Sequence, residues 1–160
     1  MTALIAIING PNLNLLGTRE PELYGTESLE TIIGRLTRRI QEAGYRSSHF
    51  QSNSEGAIID HIHALGLEKR RVALFNPGAY THTSLALRDA VLAVRLPFIE
   101  VHLSNPARRE SSRVHSHFTD LALGLVSGFG PLSYDLALEG ALQFLHQPTS
   151  FPREAPHGHT

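Results

Sequence analysis

Residues 4–8 form a short, nearly continuous apolar run that stops at Asn9-Gly10-Pro11. A run of this kind, rich in branched residues and bounded by turn formers, predicts a strand buried on both faces. Four more follow at 45–51, 72–75, 98–103 and 123–127; the first of these is weaker and alternating, which suits an edge strand. Helical spacing fills the intervals. Thr26 is the expected N-cap of the first helix, with Glu27 and Glu30 in its first turn, where negative charge meets the helix dipole. Leu29, Ile32, Ile33, Leu36 and Ile40 then recur on one face up to Gly44. Ile58, Ile59, Ile62 and Leu65 mark a second helix ending at Gly66, residues 85–94 a third, and residues 136–145 the last. The connection 105–120 is polar and reads as a working loop. Strands alternating with helices predict a parallel five-stranded sheet covered on both faces. The 160 residues suit one α/β domain, over 1–146, while 147–160 carries prolines and little to bury and is expected to be a disordered tail.

The number and order of these elements resemble a flavodoxin-like doubly wound domain, a three-layer sandwich. Composition narrows the chemistry. There is no cysteine, which excludes a disulfide scaffold, a thiolate zinc site, an iron–sulfur cluster and a cysteine nucleophile. A net charge of -1 gives no broad attraction to nucleic acid or membrane. No apolar run approaches the roughly 20 residues that span a bilayer. The N-terminus has no basic region or small-residue cleavage site, so it reads as a strand of a cytoplasmic protein. Lys69 is the only lysine against 13 arginines. Imine chemistry would therefore rest on a residue inside the charged turn Glu68-Lys69-Arg70-Arg71, whereas arginine suits the gripping of anions.

Ligands of open α/β sheets bind beyond the carboxyl ends of the strands. Here those ends carry amides, hydroxyls and imidazoles: Asn9-Gly10-Pro11-Asn12, Ser52-Asn53-Ser54, Asn76-Pro77-Gly78 with Thr81-His82-Thr83, Glu100-Val101-His102-Leu103-Ser104, and Ser127-Gly128. Each alone is an ordinary turn. Five on one edge predict a hydrogen-bonding pocket for a small polyhydroxylated molecule. The first strand–helix connection is long and glycine-bounded, as expected of a lid, and sets Arg19 five residues before Tyr24. A phenol is a poor base near neutrality unless a guanidinium favours its anion. The residues leave open that Tyr24 merely packs the loop and Arg19 is solvated. His102 belongs to a strand that should be buried, with Glu100 on its face two residues earlier. Glu100 could orient His102 as a general acid, or the histidine could be a satisfied structural one. No metal is expected: His61 and His63 stand about 200° apart on a helix and cannot share an ion, and the pair His115 and His117 lacks carboxylates at ligand spacing except Asp120. No dinucleotide fingerprint or P-loop is present.

Six stretches in register resemble the type II dehydroquinases (3-dehydroquinate dehydratases): residues 9–17, Arg19-Glu20-Pro21 with Tyr24-Gly25, residues 51–56, 76–84 and 100–105, and Ser127-Gly128-Phe129-Gly130. The resemblance covers residues 4–145. It implies dehydration of 3-dehydroquinate to 3-dehydroshikimate without a cofactor, through an enolate and an anti elimination, in the shikimate pathway or in quinate breakdown. By that resemblance Tyr24 is the base, Arg19 tunes it, His102 protonates the departing hydroxyl, Glu100 orients His102, and Asn12 holds a water at the enolate oxygen. Asn76, His82, Leu103, Ser104 and Arg113 match substrate-binding positions, and Asp89 one that reaches a site across a subunit contact. The family is usually dodecameric, four trimers together. Ser112 departs from the aromatic more usual before the arginine. The competing expectation is a flavodoxin-like binding or receiver domain; a receiver needs clustered acids at the first strand end and a lysine near the fifth, and this chain has asparagines and no such lysine.

Overall fold

The computed structural model describes residues 2–18, 22 and 26–151. The N-terminal apolar run becomes β1 (Leu4–Asn9), buried at every position. Its neighbours are β2 (Arg46–Gln51) and β3 (Arg71–Asn76), followed by β4 (Phe98–His102) and β5 (Gly124–Ser127). The order is β2-β1-β3-β4-β5, all parallel. This is the flavodoxin-like arrangement, with its switch point between β1 and β3. Burial tracks position. β1, β3 and β4 sit inside the sheet and are almost wholly buried, while the alternating β2 and the short β5 form its edges.

Among the described residues four α-helices cover the sheet: α1 (Leu29–Glu42), α2 (Glu55–Leu65), α3 (Leu85–Val94) and α4 (Leu132–His146). Alternate strand residues face opposite layers. Ile5, Ile7, Val72, Leu74, Ile99 and Val101 pack against α1 and α4, with Ile32, Leu36, Ala137 and Leu138 opposite them. Ala6, Ile8, Ala73, Phe75 and Phe98 meet α2 and α3 on the other face, through Ile58, Ile62, Leu87 and Val91. Three phenylalanines, Phe75, Phe98 and Phe118, lie edge to face on that side, the geometry that their ring quadrupoles favour.

The cap of α1 differs from the expectation. Ser28, not Thr26, is the N-cap; its hydroxyl accepts from Thr31 N at 3.1 Å. The helix begins where its first apolar residue, Leu29, is buried. Glu27 thus precedes the helix and reaches Arg35, which also pairs with Asp135 of α4. The last helix starts at Leu132, one turn before the apolar repeat that marks it in the sequence, and β5 starts at Gly124 rather than Leu123. Beyond α4, Pro148–Ser150 forms a 3-10 turn and Phe151 packs edge to face on Phe144; the rest of the expected tail lies outside the described residues.

Candidate active site

The carboxyl ends of β1, β3 and β4 open into one cleft, at the place where open α/β sheets bind their ligands. Asn12, Asn76, His82, His102, Leu103, Ser104, Arg109 and Arg113 all line it. Five of the six expected substrate-binding residues therefore converge. Asp89 does not: it lies exposed on α3, outside the cleft lining. Arg19 and Tyr24 fall outside the described residues. The sole lysine precedes β3 at the amino end of the sheet, with Arg46, Glu68 and Arg70, opposite the cleft.

The floor is built by two turns pressed together. A Cβ on Gly10 would stand 2.2 Å from Pro77 O, and one on Gly78, at φ +61°, would meet Pro11 O at 3.1 Å. Only glycine lets the β1 and β3 loops approach this closely. Asn12 follows in the left-handed region at φ 68°, which asparagine tolerates better than most residues. Asn12 N donates to Asn53 Oδ1 at 3.0 Å, and Gln51 Nε2 reaches the same oxygen at 3.2 Å. The end of β2 thus props the Asn12 turn from behind while leaving the Asn12 side chain exposed at the cleft.

His102 and Glu100, two residues apart on β4, share a face as their spacing requires. His102 Nε2 donates to Glu100 Oε2 at 2.5 Å. Thr119 Oγ1 donates to Glu100 Oε1 at 2.7 Å, and Ser116 Oγ lies 3.1 and 3.2 Å from its two oxygens. Glu100 is 1% exposed. Burial alone would push its carboxyl up, but the bond and charge from His102, with the hydroxyls of Thr119 and Ser116, hold it below the usual carboxylate range. An ionised carboxylate only accepts, so His102 Nε2 carries a proton and Nδ1 is the nitrogen left for the cleft.

His82 is fixed in the opposite sense. Its Nδ1 lies 2.7 Å from His115 O. A carbonyl only accepts, so Nδ1 carries the proton and Nε2 keeps its lone pair. Burial pushes His82 below its ordinary value, and repulsion from His102 and Arg113 adds to this against the His115 carbonyl and Glu100. The site therefore holds a neutral, accepting imidazole beside the one paired to a carboxylate. The loop 105–120 closes the wall. Arg113 Nε donates to Glu110 Oε1 at 2.6 Å, so Glu110 steadies the guanidinium where Ser112 supplies no ring. His117 N donates to Thr81 O and His117 O accepts from Arg88, so His117, like His115 through its carbonyl, pins the loop through its backbone.

Three partners escape a reading of the sequence. Ser116 and Thr119 are ordinary loop hydroxyls until the loop folds back onto Glu100. Tyr134 sits among apolar residues of α4, where its pattern signals core, yet its hydroxyl meets Asn76 Nδ2 at 3.0 Å and donates to Asn9 Oδ1.

An α/β domain with an imidazole–carboxylate pair and guanidinium groups around a cleft at its strand ends defines an enzyme-type site for a small anionic molecule. A profile of the family Dehydroquinase class II matches residues 3–142, and the chain belongs to that family. It is 53% identical to "3-dehydroquinate dehydratase 1" of Pseudomonas aeruginosa, over 91% of this chain and 99% of that protein. It is 50% identical to "3-dehydroquinate dehydratase" of Nitrosococcus oceani, over 91% and 99%. The crystal structure of type II dehydroquinase from Butyrivibrio crossotus superposes with a TM-score of 0.84 at 38% identity, covering 88% of this chain and 97% of that one.

Proposed function

We propose that this chain is a 3-dehydroquinate dehydratase of the shikimate pathway, and that its cleft carries out the elimination. The phenolate of Tyr24, favoured by Arg19, takes the C2 proton of 3-dehydroquinate, and the electron pair enters the C3 carbonyl as an enolate. Asn12 holds a water against that developing oxyanion. The enolate then collapses: the C1–O bond breaks, the C1–C2 double bond forms, and His102, as an imidazolium whose Nε2–H stays on Glu100, gives the Nδ1 proton that lets the hydroxyl leave as water. Glu100 orients His102 and balances its charge during the transfer. His82 Nε2 accepts from a substrate hydroxyl, Arg113 and Asn76 donate to others, and the Leu103 and Ser104 amides hold the carboxylate.

The observation that carries this reading is His102, paired to the buried Glu100 and lining one cleft with Arg109 and Arg113. The exposed position of Asp89, with Leu125, Phe129 and Leu132 exposed along β5 and the start of α4, supports a trimer in which Asp89 completes a neighbour's site, and four trimers forming a dodecamer. Purified protein mixed with 3-dehydroquinate should generate the ultraviolet absorbance of a conjugated enone and remain active after borohydride treatment. Absence of the enone, or inactivation by borohydride through a trapped imine, refutes the reading.

A further inference from the structure

β1 and β3 are adjacent and in register, so Asn9 and Asn76 stand side by side at their carboxyl ends. Both lie two residues beyond Ile7 and Leu74, which pack toward α1 and α4, so both share that face. Tyr134 of α4 rises to meet them, with no solvent exposure. Its hydroxyl hydrogen goes to Asn9 Oδ1, and its lone pair receives Asn76 Nδ2 at 3.0 Å. Asn9 Nδ2 lies 3.1 Å from His49 Nε2, at the far side of β1. The Asn76 Oδ1 atom accepts from Gly78 N at 3.1 Å, and the backbone oxygen of Asn76 accepts from Gly10 N at 2.8 Å.

This accounting leaves Asn76 little freedom. A carboxamide has two N–H donors and one oxygen. Gly78 N fixes the oxygen and Tyr134 takes one N–H. One donor remains, on a residue that lines the cleft while being only 3% exposed. The direction of the relay also matters. Because Asn9 accepts the phenol's only hydrogen, the phenol must act as acceptor toward Asn76, which selects the amino end of the amide for that position. Burial pushes the Tyr134 phenol far up, so it keeps its proton and this direction.

We infer that Tyr134, polarised by Asn9, is a positioning residue that locks the Asn76 amide so its remaining N–H is presented to a substrate oxygen. The inference rests on the proposed dehydratase reading and assigns a binding task to a residue remote from the cleft surface. A side chain that served the core alone would, on losing its hydroxyl, lower the melting temperature without changing how tightly the remaining folded enzyme holds substrate. A positioning residue changes KM.

Steady-state kcat and KM for 3-dehydroquinate, with thermal melts in parallel, are to be measured for wild type, Tyr134→Phe, Asn76→Ala and the double variant. Tyr134→Phe should raise KM about fivefold to tenfold, the size of effect expected when one oriented hydrogen bond is lost, with kcat changed less than about twofold. The double variant should be no worse in KM than Asn76→Ala, since the phenol acts only through the amide. An unchanged KM in folded Tyr134→Phe, or multiplying penalties in the double variant, overturns the inference. Should Tyr134→Phe melt below the assay temperature, Asn9→Leu keeps the phenol but removes its acceptor; a raised KM there supports the relay and an unchanged one overturns it. A wild-type protein without turnover overturns both the functional reading and the relay, whereas wild-type turnover with an unaltered variant KM overturns the relay alone.

Discussion

Glu100 accepts from His102, Thr119 and Ser116, and all three bonds favour its anion. Replacing it with glutamine keeps the shape but puts a neutral amide against the imidazole. General acid catalysis is worth about 10²–10⁴ in rate, so Glu100→Gln should lower kcat about 100-fold, checked by steady-state assay beside a circular dichroism spectrum that confirms the fold. A kcat within threefold of wild type would contradict the assignment. The same bonds set an acid limit on stability. A folded pKa below the unfolded value means that protons favour the unfolded chain, so stability is present above the unfolded value and is lost as pH falls through the folded one. His49, His61 and His82 are all lowered from 6.5 and Glu100 from 4.5. Melting temperature should therefore begin to fall below pH 6.5 and fall further below pH 4.5. His61 stacks on Phe50, with ring centroids 4.4 Å apart, and its buried Nε2 has no hydrogen-bond partner among the described residues. His61→Phe keeps the stacking, removes the orphan nitrogen and should shallow the first decline; an unaltered pH profile would show that this histidine is not part of it.

At the scale of elements, the sequence displays what repeats and conceals what depends on return contacts. The five strands and four helices are legible because sheet and helix periods differ and because buried parallel strands read as continuous apolar runs. The pairing of Glu100 with His102 is legible too, since a period of two places them together. Cap choice is less so. Thr26 and Ser28 are both able caps, and burial of Leu29 decides between them. Ser28→Ala should cost about 1 kcal/mol and Thr26→Ala close to nothing, read as the difference in urea midpoints; equal costs would restore Thr26 to the role. Ser116, Thr119 and Tyr134 stay hidden for a different reason. Each acts across 16 residues or more of sequence, at separations set by how a loop folds back or how α4 crosses β1 and β3, and no local pattern encodes them.

At the scale of the molecule, one chain presents a cleft but leaves Asp89 outside it and apolar residues uncovered beside β5. Phe129 is 61% exposed and Leu132 53%, and isolated apolar residues gain meaning when they gather. Phe129→Asp combined with Leu132→Asp should dissociate the proposed trimer in analytical ultracentrifugation and reduce activity by at least tenfold. Dissociated chains with full activity would refute a site completed by a neighbour. The proposed mechanism divides the labour within the site: it has Tyr24 remove the proton, and the Glu100–His102 pair act only when the hydroxyl departs. His102→Ala therefore separates the two steps. With the variant in deuterium oxide, 3-dehydroquinate recovered after incubation should carry deuterium at C2 while almost no enone forms. Loss of exchange together with elimination would contradict the account, because His102 would then be needed to break the C–H bond as well.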